Sequence, residues 1–337
     1  MPSDLASDMF SLKLGNDDGA ARSSEEASAS TGGEDPKLWK PHGLTEECPL
    51  CFVPLPLDEG AMCYNICCGK TICGSCRFEI WRAELAKNVT DVNKLEMPTE
   101  EELDAMKQSC AFCRTVKPQT LEEDIERFEK KIREGDGRAA TNLGIAYRIG
   151  ALNFSEIPKD EAKCLQYFHL AADDLGSPQA MTELGSNYAR RDDAKAREYL
   201  ERAVRLGYVN ARCLLGTLDM VEGKPDLALR HWTLAAKAGD PGSMRQIWKA
   251  FNKELITKTD LESLLRSHKK ACDEMNSEER ERARVFSEIQ QEKFTRGNEV
   301  DDTLQYFLML YYAGRLSAKE LELNLKARGF VNYRKAK

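Results

Sequence analysis

Two series of glycines recur at matching intervals along the middle of the chain. The first series ends four helix-like segments, and its members are Gly135, Gly176, Gly207 and Gly239. The second series lies inside the segments that follow, and its members are Gly144, Gly185 and Gly216. Both series show intervals of 41 and then 31 residues, and the first adds one of 32. Self-similarity at this period predicts a solenoid of stacked helix pairs.

The local chemistry around these glycines also favours helix pairs. The closing glycines suit the left-handed backbone that commonly ends a helix. Pro178 follows Ser177, and Pro241 follows Asp240, which is the usual order of a cap and a first helical residue. Each internal glycine costs about 1 kcal/mol relative to alanine, so its recurrence at one register predicts close contact between helices. The alternative is a helix bundle in which the glycines recur by accident.

These glycines, with the stretches "YFHLAA", "YLERAV" and "HWTLAA" in the second helix of each unit, resemble the Sel-1-like repeat. That family is a short relative of the tetratricopeptide repeat. The resemblance covers roughly Gly135–Asp240 in three units. A weaker fourth unit has Ile247 in place of the internal glycine, as expected of a divergent end cap. The resemblance implies a helical solenoid whose surface binds a protein or peptide. A capping box, Thr120-x-x-Glu123, opens its first helix.

Cysteine is concentrated before the repeats, where nine of the chain's twelve cysteines fall between Cys48 and Cys113. Three C-x2-C pairs stand out, and they are Cys48/Cys51, Cys73/Cys76 and Cys110/Cys113. Met1–Phe10 has two aspartates and no apolar stretch, so we expect no export signal. We therefore expect the protein in a reducing compartment, where disulfides are rare. In that setting such pairs indicate metal, because two C-x2-C turns complete a tetrahedron of thiolates. The sequence therefore predicts structural zinc.

The order of the cysteines resembles the RING family of two-zinc modules. That resemblance implies a cross-brace, in which the first and third pairs share one ion and the second and fourth share the other. The ligands it implies are Cys48, Cys51, Cys73 and Cys76 for one zinc, and Cys67, Cys68, Cys110 and Cys113 for the other. Cys63 remains an alternative to Cys67, since adjacent cysteines on one ion are strained. Lys70 stands where the family often has a histidine, and its ammonium has no lone pair to offer a metal.

The RING resemblance also implies a function. Such modules bind a ubiquitin-conjugating enzyme and hold its ubiquitin thioester in a reactive pose, with no covalent catalytic residue of their own. Leu50 matches the apolar contact to the conjugating enzyme. Arg114 matches the cation that bridges that enzyme and ubiquitin. Ala111 replaces the family's usual proline and counts against activity. The resemblance therefore predicts a ubiquitin-protein ligase. The alternative hypothesis is a non-catalytic, zinc-stabilised interaction scaffold.

The remaining segments complete the expected organisation. Residues 1–44 are rich in Ser, Ala, Gly, Asp and Glu and are predicted to be a disordered acidic tail. The RING-type module takes 45–118, the repeats 120–276 and a helical extension 277–337. The fold class is therefore mostly α, a small two-zinc module followed by an α-helical repeat solenoid. A net charge of −7 argues against a nucleic-acid partner. No apolar run is long enough to span a membrane, and we expect a cytoplasmic or nuclear protein.

Overall fold

A computed structural model describes a large part of the chain, and that part is mostly helical. It covers residues 37–39, 46–88, 109–110, 112–116, 118–152, 155–281, 283 and 323. The described residues form two compact units. One contains those of 1–47, 54–61 and 118–275, and the other those of 48–53, 62–117 and 276–337. The expected acidic tail lies outside the described residues except for 37–39, as does most of the expected C-terminal extension.

The cysteine-rich unit is built on one hairpin and one helix. Strands β1 (Met62–Asn65) and β2 (Lys70–Cys73) pair antiparallel, with Met62 opposite Cys73 and Asn65 opposite Lys70. The backbone N–H groups of Cys68 and Gly69 both donate to the carbonyl of Asn65, which closes the turn between the strands. Helix α1 (Gly74–Asn88) follows β2 directly.

The repeat unit is a succession of helices that pack on their neighbours in the chain. Its helices are α2 (Leu121–Arg133), α3 (Gly137–Ile149), α4 (Glu161–His169), α5 (Pro178–Tyr188), α6 (Asp193–Arg205), α7 (Val209–Val221), α8 (Pro225–Lys237), α9 (Pro241–Asn252) and α10 (Lys258–Glu274). A π-helical turn, Leu170–Asp174, extends α4. A small hairpin of β3 (Ala151–Leu152) and β4 (Ser155–Glu156) separates α3 from α4. This insertion explains why the first repeat interval is longer than the others.

The caps that the sequence predicts are present. The side chain of Thr120 accepts from the N–H of Glu123 at the start of α2. Ser177 and Asp240 cap α5 and α9 in the same way, each followed by proline in the first turn. The closing glycines all have positive φ, and the angles are 91° at Gly135, 68° at Gly176, 84° at Gly207 and 94° at Gly239. Each repeat therefore begins after a left-handed residue that a glycine adopts without strain.

The internal glycines make room for a buried side chain of the next helix. A Cβ atom on Gly185 would lie 2.7 Å from the Leu200 side chain. The corresponding distances at Gly144 and Gly216, to Phe168 and Trp232, are 2.8 Å. The helix pairs are therefore α3 with α4, α5 with α6, and α7 with α8. The predicted close contact is confirmed at all three glycines.

The last helices end the repeat unit with a larger apolar cluster. Ile247 of α9 replaces the internal glycine and is fully buried. It packs among residues of α8, α9 and α10, which are Ala228, Trp232, Ala236, Met244, Leu261 and Leu264. Among the helices that the structure describes, none has both the length and the apolar character needed to cross a membrane.

Candidate functional site

Four cysteines from three parts of the cysteine-rich unit converge on one point. Cys48 and Cys51 lie in the loop before β1, Cys73 ends β2, and Cys76 lies in the first turn of α1. Their sulfur atoms all lie within 4.8 Å of one another. The Sγ atoms of Cys51 and Cys73 are 3.8 Å apart, and the N–H of Cys73 points to the Cys48 Sγ at 3.5 Å. We call these four residues the first cysteine group.

A second group of four forms at the hairpin turn. Cys67 and Cys68 lie in the turn between β1 and β2, and they meet Cys110 and Cys113. These four sulfur atoms also lie within 4.8 Å of one another. The Sγ atoms of Cys68 and Cys110 are 3.7 Å apart. We call these residues the second cysteine group.

The spacing of the sulfur atoms fits a metal ion and not a disulfide. Tetrahedral zinc binds each thiolate at about 2.3 Å, which places neighbouring sulfur atoms about 3.8 Å apart. A disulfide would bring them to about 2.0 Å. The observed separations of 3.8 and 3.7 Å match the tetrahedral value, and all eight cysteines are free thiols. Four sulfur donors in a tetrahedron are typical of zinc or iron–sulfur centres.

The ionisation of the first group also favours a bound cation. Burial raises the pKa of Cys73, but the hydrogen bonds with Ser75 and Cys76 together outweigh burial and lower this pKa to about 6. Burial instead raises the pKa of Cys51 and Cys76 above the ordinary value, and the charge of Cys73 adds to the effect. One cysteine of the group therefore ionises readily, and its negative charge makes it harder for a second cysteine to lose its proton. A divalent cation removes that conflict, because it stabilises all four thiolates together.

The second group shows the same division. A hydrogen bond with Thr115, 3.1 Å from the Cys113 Sγ, is the main reason why the pKa of Cys113 falls to about 6. Burial raises the pKa of both Cys67 and Cys68, and the neighbouring cysteines raise it further. The two groups are thus alike in chemistry as well as in number.

The two groups are interleaved along the chain. Going from the N-terminus, the pairs are Cys48/Cys51, Cys67/Cys68, Cys73/Cys76 and Cys110/Cys113, and they alternate between the first and the second group. This is the cross-brace order that the resemblance implied. Cys63, the alternative ligand, lies on β1 and belongs to neither group among the described residues. The structure therefore brings Cys67 and not Cys63 to the second group.

The first and last C-x2-C pairs form the same backbone turn. In the first, Cys48 N–H donates to the Val53 carbonyl and Phe52 N–H donates to the Cys48 carbonyl. In the last, Cys110 N–H donates to the Thr115 carbonyl and Arg114 N–H donates to the Cys110 carbonyl. We call these turns the first and the last knuckle.

The residue after each knuckle's second cysteine has an unusual backbone. Phe52 and Arg114 have φ angles of 59° and 60°, a left-handed conformation that costs a non-glycine residue about 1–2 kcal/mol. Both side chains are exposed, and Phe52 is 73% accessible. Leu50, between the cysteines of the first knuckle, is 37% accessible. Phe52 was not among the predicted site residues, and its only signal in the sequence is a large apolar residue directly after a C-x2-C pair.

Two cations contact the module without binding a metal. The Nζ of Lys70 lies 4.5 Å from the ring centroid of Phe112, so its charge faces an aromatic ring within the last knuckle. Arg280 donates from Nη2 to the carbonyl of Val53 at 3.2 Å and lies 3.9 Å from the Cys51 Sγ. The charge of Arg280 helps to lower the pKa of Cys73. Arg280 was not among the predicted site residues, because it lies 229 residues from Cys51 along the chain.

The repeat unit offers a second candidate surface, formed where successive helices begin. Arg138, Gln179 and Asn210 occupy the second position of α3, α5 and α7, one in each repeat. All three contact segments that precede the repeats. Arg138 pairs with Glu46 at 3.3 Å, Gln179 donates to the Glu59 carboxylate, and Asn210 donates to the Leu57 carbonyl at 3.3 Å. The surface therefore contacts the segments that precede the repeats by means of the same repeat position.

Glu59 is the most perturbed carboxylate on that surface. Burial is the largest cause and the negative charge of Glu183 the next, and together they raise the pKa of Glu59 to about 8. Asp58 raises this pKa further, while the Arg138 cation and the hydrogen bond from Gln179 lower it. The Tyr208 hydroxyl also donates to this carboxylate. Glu59 is therefore largely protonated in the folded protein at neutral pH.

We expect Glu59→Gln to remove a pH-dependent loss of stability. The folded protein retains the Glu59 proton up to about pH 8, whereas the unfolded chain releases it near pH 4.5. The free energy of unfolding therefore falls as pH rises between these values, and the loss is complete once the pH has passed through 8. Glutamine resembles the protonated acid and does not titrate. The variant's melting temperature relative to wild type should therefore rise between pH 6 and pH 9. Glu126→Gln, at an exposed carboxylate of α2, is the control, and an equal rise for both variants would contradict the assignment to Glu59.

Comparison with known proteins bears on the repeats. The Sel1 repeat family matches residues 137–174, 175–208 and 211–240. These three stretches begin with α3, just before α5 and within α7, so the predicted repeats are confirmed over these residues. A helix-pair solenoid of this kind supports a protein–protein interaction role. The chain thus carries three Sel1 repeats in residues 137–240, together with two cysteine groups that could each hold a metal ion.

Six chains of solved structures match this chain. The crystal structure of c5321, a protective antigen present in uropathogenic Escherichia coli strains and displaying an SLR fold, is 18% identical to this chain. The match covers 63% of this chain and 44% of that protein, with a TM-score of 0.36. The chain thus matches less than half of that protein's length. No curated protein matches the present chain in sequence.

Proposed function

We propose that this chain is a RING-type ubiquitin-protein ligase. In this proposal the cysteine-rich unit binds a ubiquitin-conjugating enzyme, and the Sel1 repeats bind the protein substrate. One observation carries the proposal, namely that two interleaved groups of four cysteines each have the sulfur spacing of a tetrahedral ion. A module in which two ions are fully bound by interleaved cysteines acts by presenting a binding surface to a partner protein.

Zinc would have a structural role in both groups. Cys48, Cys51, Cys73 and Cys76 would hold one ion, and Cys67, Cys68, Cys110 and Cys113 the other. When bound, the ions supply charge that holds eight thiolates together. Four protein ligands leave no open coordination position, so no activated water is expected. The residues that act on a partner are therefore those exposed on the knuckles.

Leu50 and Arg114 have the properties that such a role requires. Leu50 offers exposed apolar surface on the first knuckle, where a partner can bury it. Arg114 is exposed on the last knuckle, and its left-handed backbone fixes the direction in which its side chain leaves the turn. A guanidinium donates several hydrogen bonds in a planar fork, which suits the bridging of carbonyl groups on two proteins. Such a ligase accelerates transfer by positioning the thioester, without a covalent intermediate of its own.

We expect Leu50→Ala and Arg114→Ala each to lower the rate of ubiquitin transfer at least tenfold. Both changes remove a proposed contact and leave all eight cysteines in place, so two zinc ions should remain. The rate is measured as autoubiquitination and as discharge of a preformed ubiquitin thioester from a panel of conjugating enzymes.

Arg77→Ala is the matched control, because Arg77 is also exposed in this unit but lies on α1. It should keep the wild-type rate. If the wild-type chain discharges no conjugating enzyme while retaining two zinc ions, the ligase proposal is wrong. A non-catalytic scaffold stabilised by zinc would then be the remaining interpretation.

A further inference from the structure

The third repeat differs from the first two at one packing position. Three residues beyond each internal glycine, the first two repeats have a tyrosine that stacks on a tyrosine of the next helix. The pairs are Tyr147 with Tyr167 (5.8 Å between centroids, 4° between planes) and Tyr188 with Tyr199 (5.8 Å, 2°). At the same register the third repeat has Asp219 and His231, whose Oδ2 and Nε2 atoms are 3.5 Å apart. This repeat therefore lacks the aromatic pair.

A tryptophan from the N-terminal part of the chain stacks at this position. The ring of Trp39 lies 4.5 Å from that of His231, with an angle of 25° between their planes. The Arg230 guanidinium lies 3.6 Å from the centroid of the Trp39 ring. Cation–π contacts of this kind are strongest with tryptophan. The indole thus contacts two side chains that the first two repeats do not have, since Arg230 stands where they carry Gln166 and Glu198.

A second departure in the same repeat contacts the residue before Trp39. The fourth residue of α7 is Arg212, whereas the other first helices of each unit have an apolar residue there, namely Ala140, Met181 and Met244. Arg212 is 1% accessible and donates from Nη1 to the Leu38 carbonyl at 2.7 Å. Burial lowers the pKa of Arg212 to about 10, which reflects the cost of holding the cation there. A peptide carbonyl compensates part of that cost.

The polar groups beneath Trp39 are buried at some cost to the fold. His231 is 2% and Asp219 0% accessible. Nδ1 of His231 and Oδ2 of Asp219 have no hydrogen-bond partner among the described residues. Oδ1 of Asp219 accepts from Arg197 at 2.6 Å. Among the described residues of the three matched repeats, buried polar side-chain atoms without a hydrogen-bond partner occur in the third. Such atoms destabilise a fold, so their position beneath Trp39 points to a role in binding.

We propose that the third repeat is a binding site for a short peptide that presents an indole side chain. The chain's own segment, Lys37–Trp39, occupies this site as an intramolecular ligand, and a partner peptide of the same chemistry displaces it. Arg212 recognises the backbone carbonyl before the indole, while Arg230 and His231 recognise the ring. The inference depends on the interaction role of the repeats and needs neither zinc nor a conjugating enzyme. A failed ligase assay would therefore leave it intact.

The test uses the full chain and a labelled synthetic peptide of its own residues 33–44, "GEDPKLWKPHGL". An intramolecular ligand competes at an effective concentration in the millimolar range, so wild type should bind this peptide weakly. Trp39→Ala removes the competitor. Fluorescence anisotropy should show saturable binding to the Trp39→Ala chain, at least tenfold tighter than to wild type. The same peptide with its tryptophan replaced by alanine should not bind.

Two further changes, made in the Trp39→Ala chain, test the assignment of residues. Arg212→Met introduces the residue that α5 and α9 carry at that register, so the repeat should still fold. Arg230→Gln introduces the residue of the first repeat at an exposed position, and it tests the site even if Arg212→Met fails to fold. Each should weaken peptide binding at least tenfold, with an unchanged melting temperature for Arg230→Gln. Equal binding to wild type and Trp39→Ala, no saturable binding to Trp39→Ala, or unchanged binding by folded Arg212→Met and Arg230→Gln would overturn the proposal.

Discussion

Chelation of bound metal is expected to unfold the cysteine-rich unit and to leave the repeats helical. The described part of that unit buries few apolar residues, and half of them are cysteines. They are Cys48, Ile66, Ile72, Cys73, Phe78 and Cys110. Structural zinc contributes about 10–16 kcal/mol of apparent folding free energy per site in small peptides, far more than three apolar side chains can supply. Circular dichroism and limited proteolysis during titration with a chelator should show early loss of residues 48–117 and late loss of 121–274.

Cys67→Ser and Cys63→Ser form the matched pair for this prediction. Cys67 is in the second cysteine group and Cys63 is in neither, although both are half-buried cysteines of the same hairpin. Cys67→Ser should retain at most one zinc ion tightly and make the unit sensitive to protease. Cys63→Ser should retain two and remain resistant. The opposite result would return Cys63 to the ligand set.

Gly185→Val is expected to destabilise the repeats by about 3 kcal/mol or more, because overpacking a buried contact forces side chains and backbone to move. Even a single Cβ at this position would lie 2.7 Å from Leu200 Cγ and Cδ2 and 3.4 Å from the Ala196 carbonyl oxygen. Leu200 is fully buried, so it has no open space into which to move. Chemical denaturation followed by circular dichroism measures the loss.

Gly207→Ala separates this clash from the general cost of replacing a glycine. A Cβ on Gly207 would meet no atom within 4 Å, but its φ of 84° disfavours alanine. The expected loss is therefore about 1–2 kcal/mol, the cost of a left-handed non-glycine residue. If both variants lose the same stability, close packing at the internal glycine is not what matters.

The repeats were predictable because glycine reports on the backbone directly. A positive φ and a missing side chain are properties of the residue itself, so both glycine series could be interpreted without knowing any neighbour. The first interval is longer than the others because of the β3–β4 hairpin, which was not predicted, since its strand pairing depends on contacts that the glycine spacing does not encode. The position of Ile247 in the final cluster agrees with the divergent fourth unit.

The cysteine groups were predictable in their order and only partly in their membership. The C-x2-C spacing pairs neighbouring cysteines, and the resemblance to the RING family implied which pairs come together. Cys63 and Cys67 differ only in where the hairpin turn falls, which the spacing does not give. Contacts between distant parts of the chain left no local signal. Arg280 with Cys51 and Trp39 with His231 are of this kind, since each pair joins residues about 200 apart. The left-handed backbone of Arg114 could not be predicted, because the residue at this position is not a glycine.

X-ray absorption at the zinc edge, on protein whose metal content has been determined by native mass spectrometry, shows whether the eight cysteines bind two structural ions through sulfur alone. We expect two zinc ions per chain and a single shell of four sulfur atoms at about 2.3 Å around each. Fewer than two ions, a shell of nitrogen or oxygen near about 2.0 Å, or disulfides among these cysteines would contradict the proposed zinc sites.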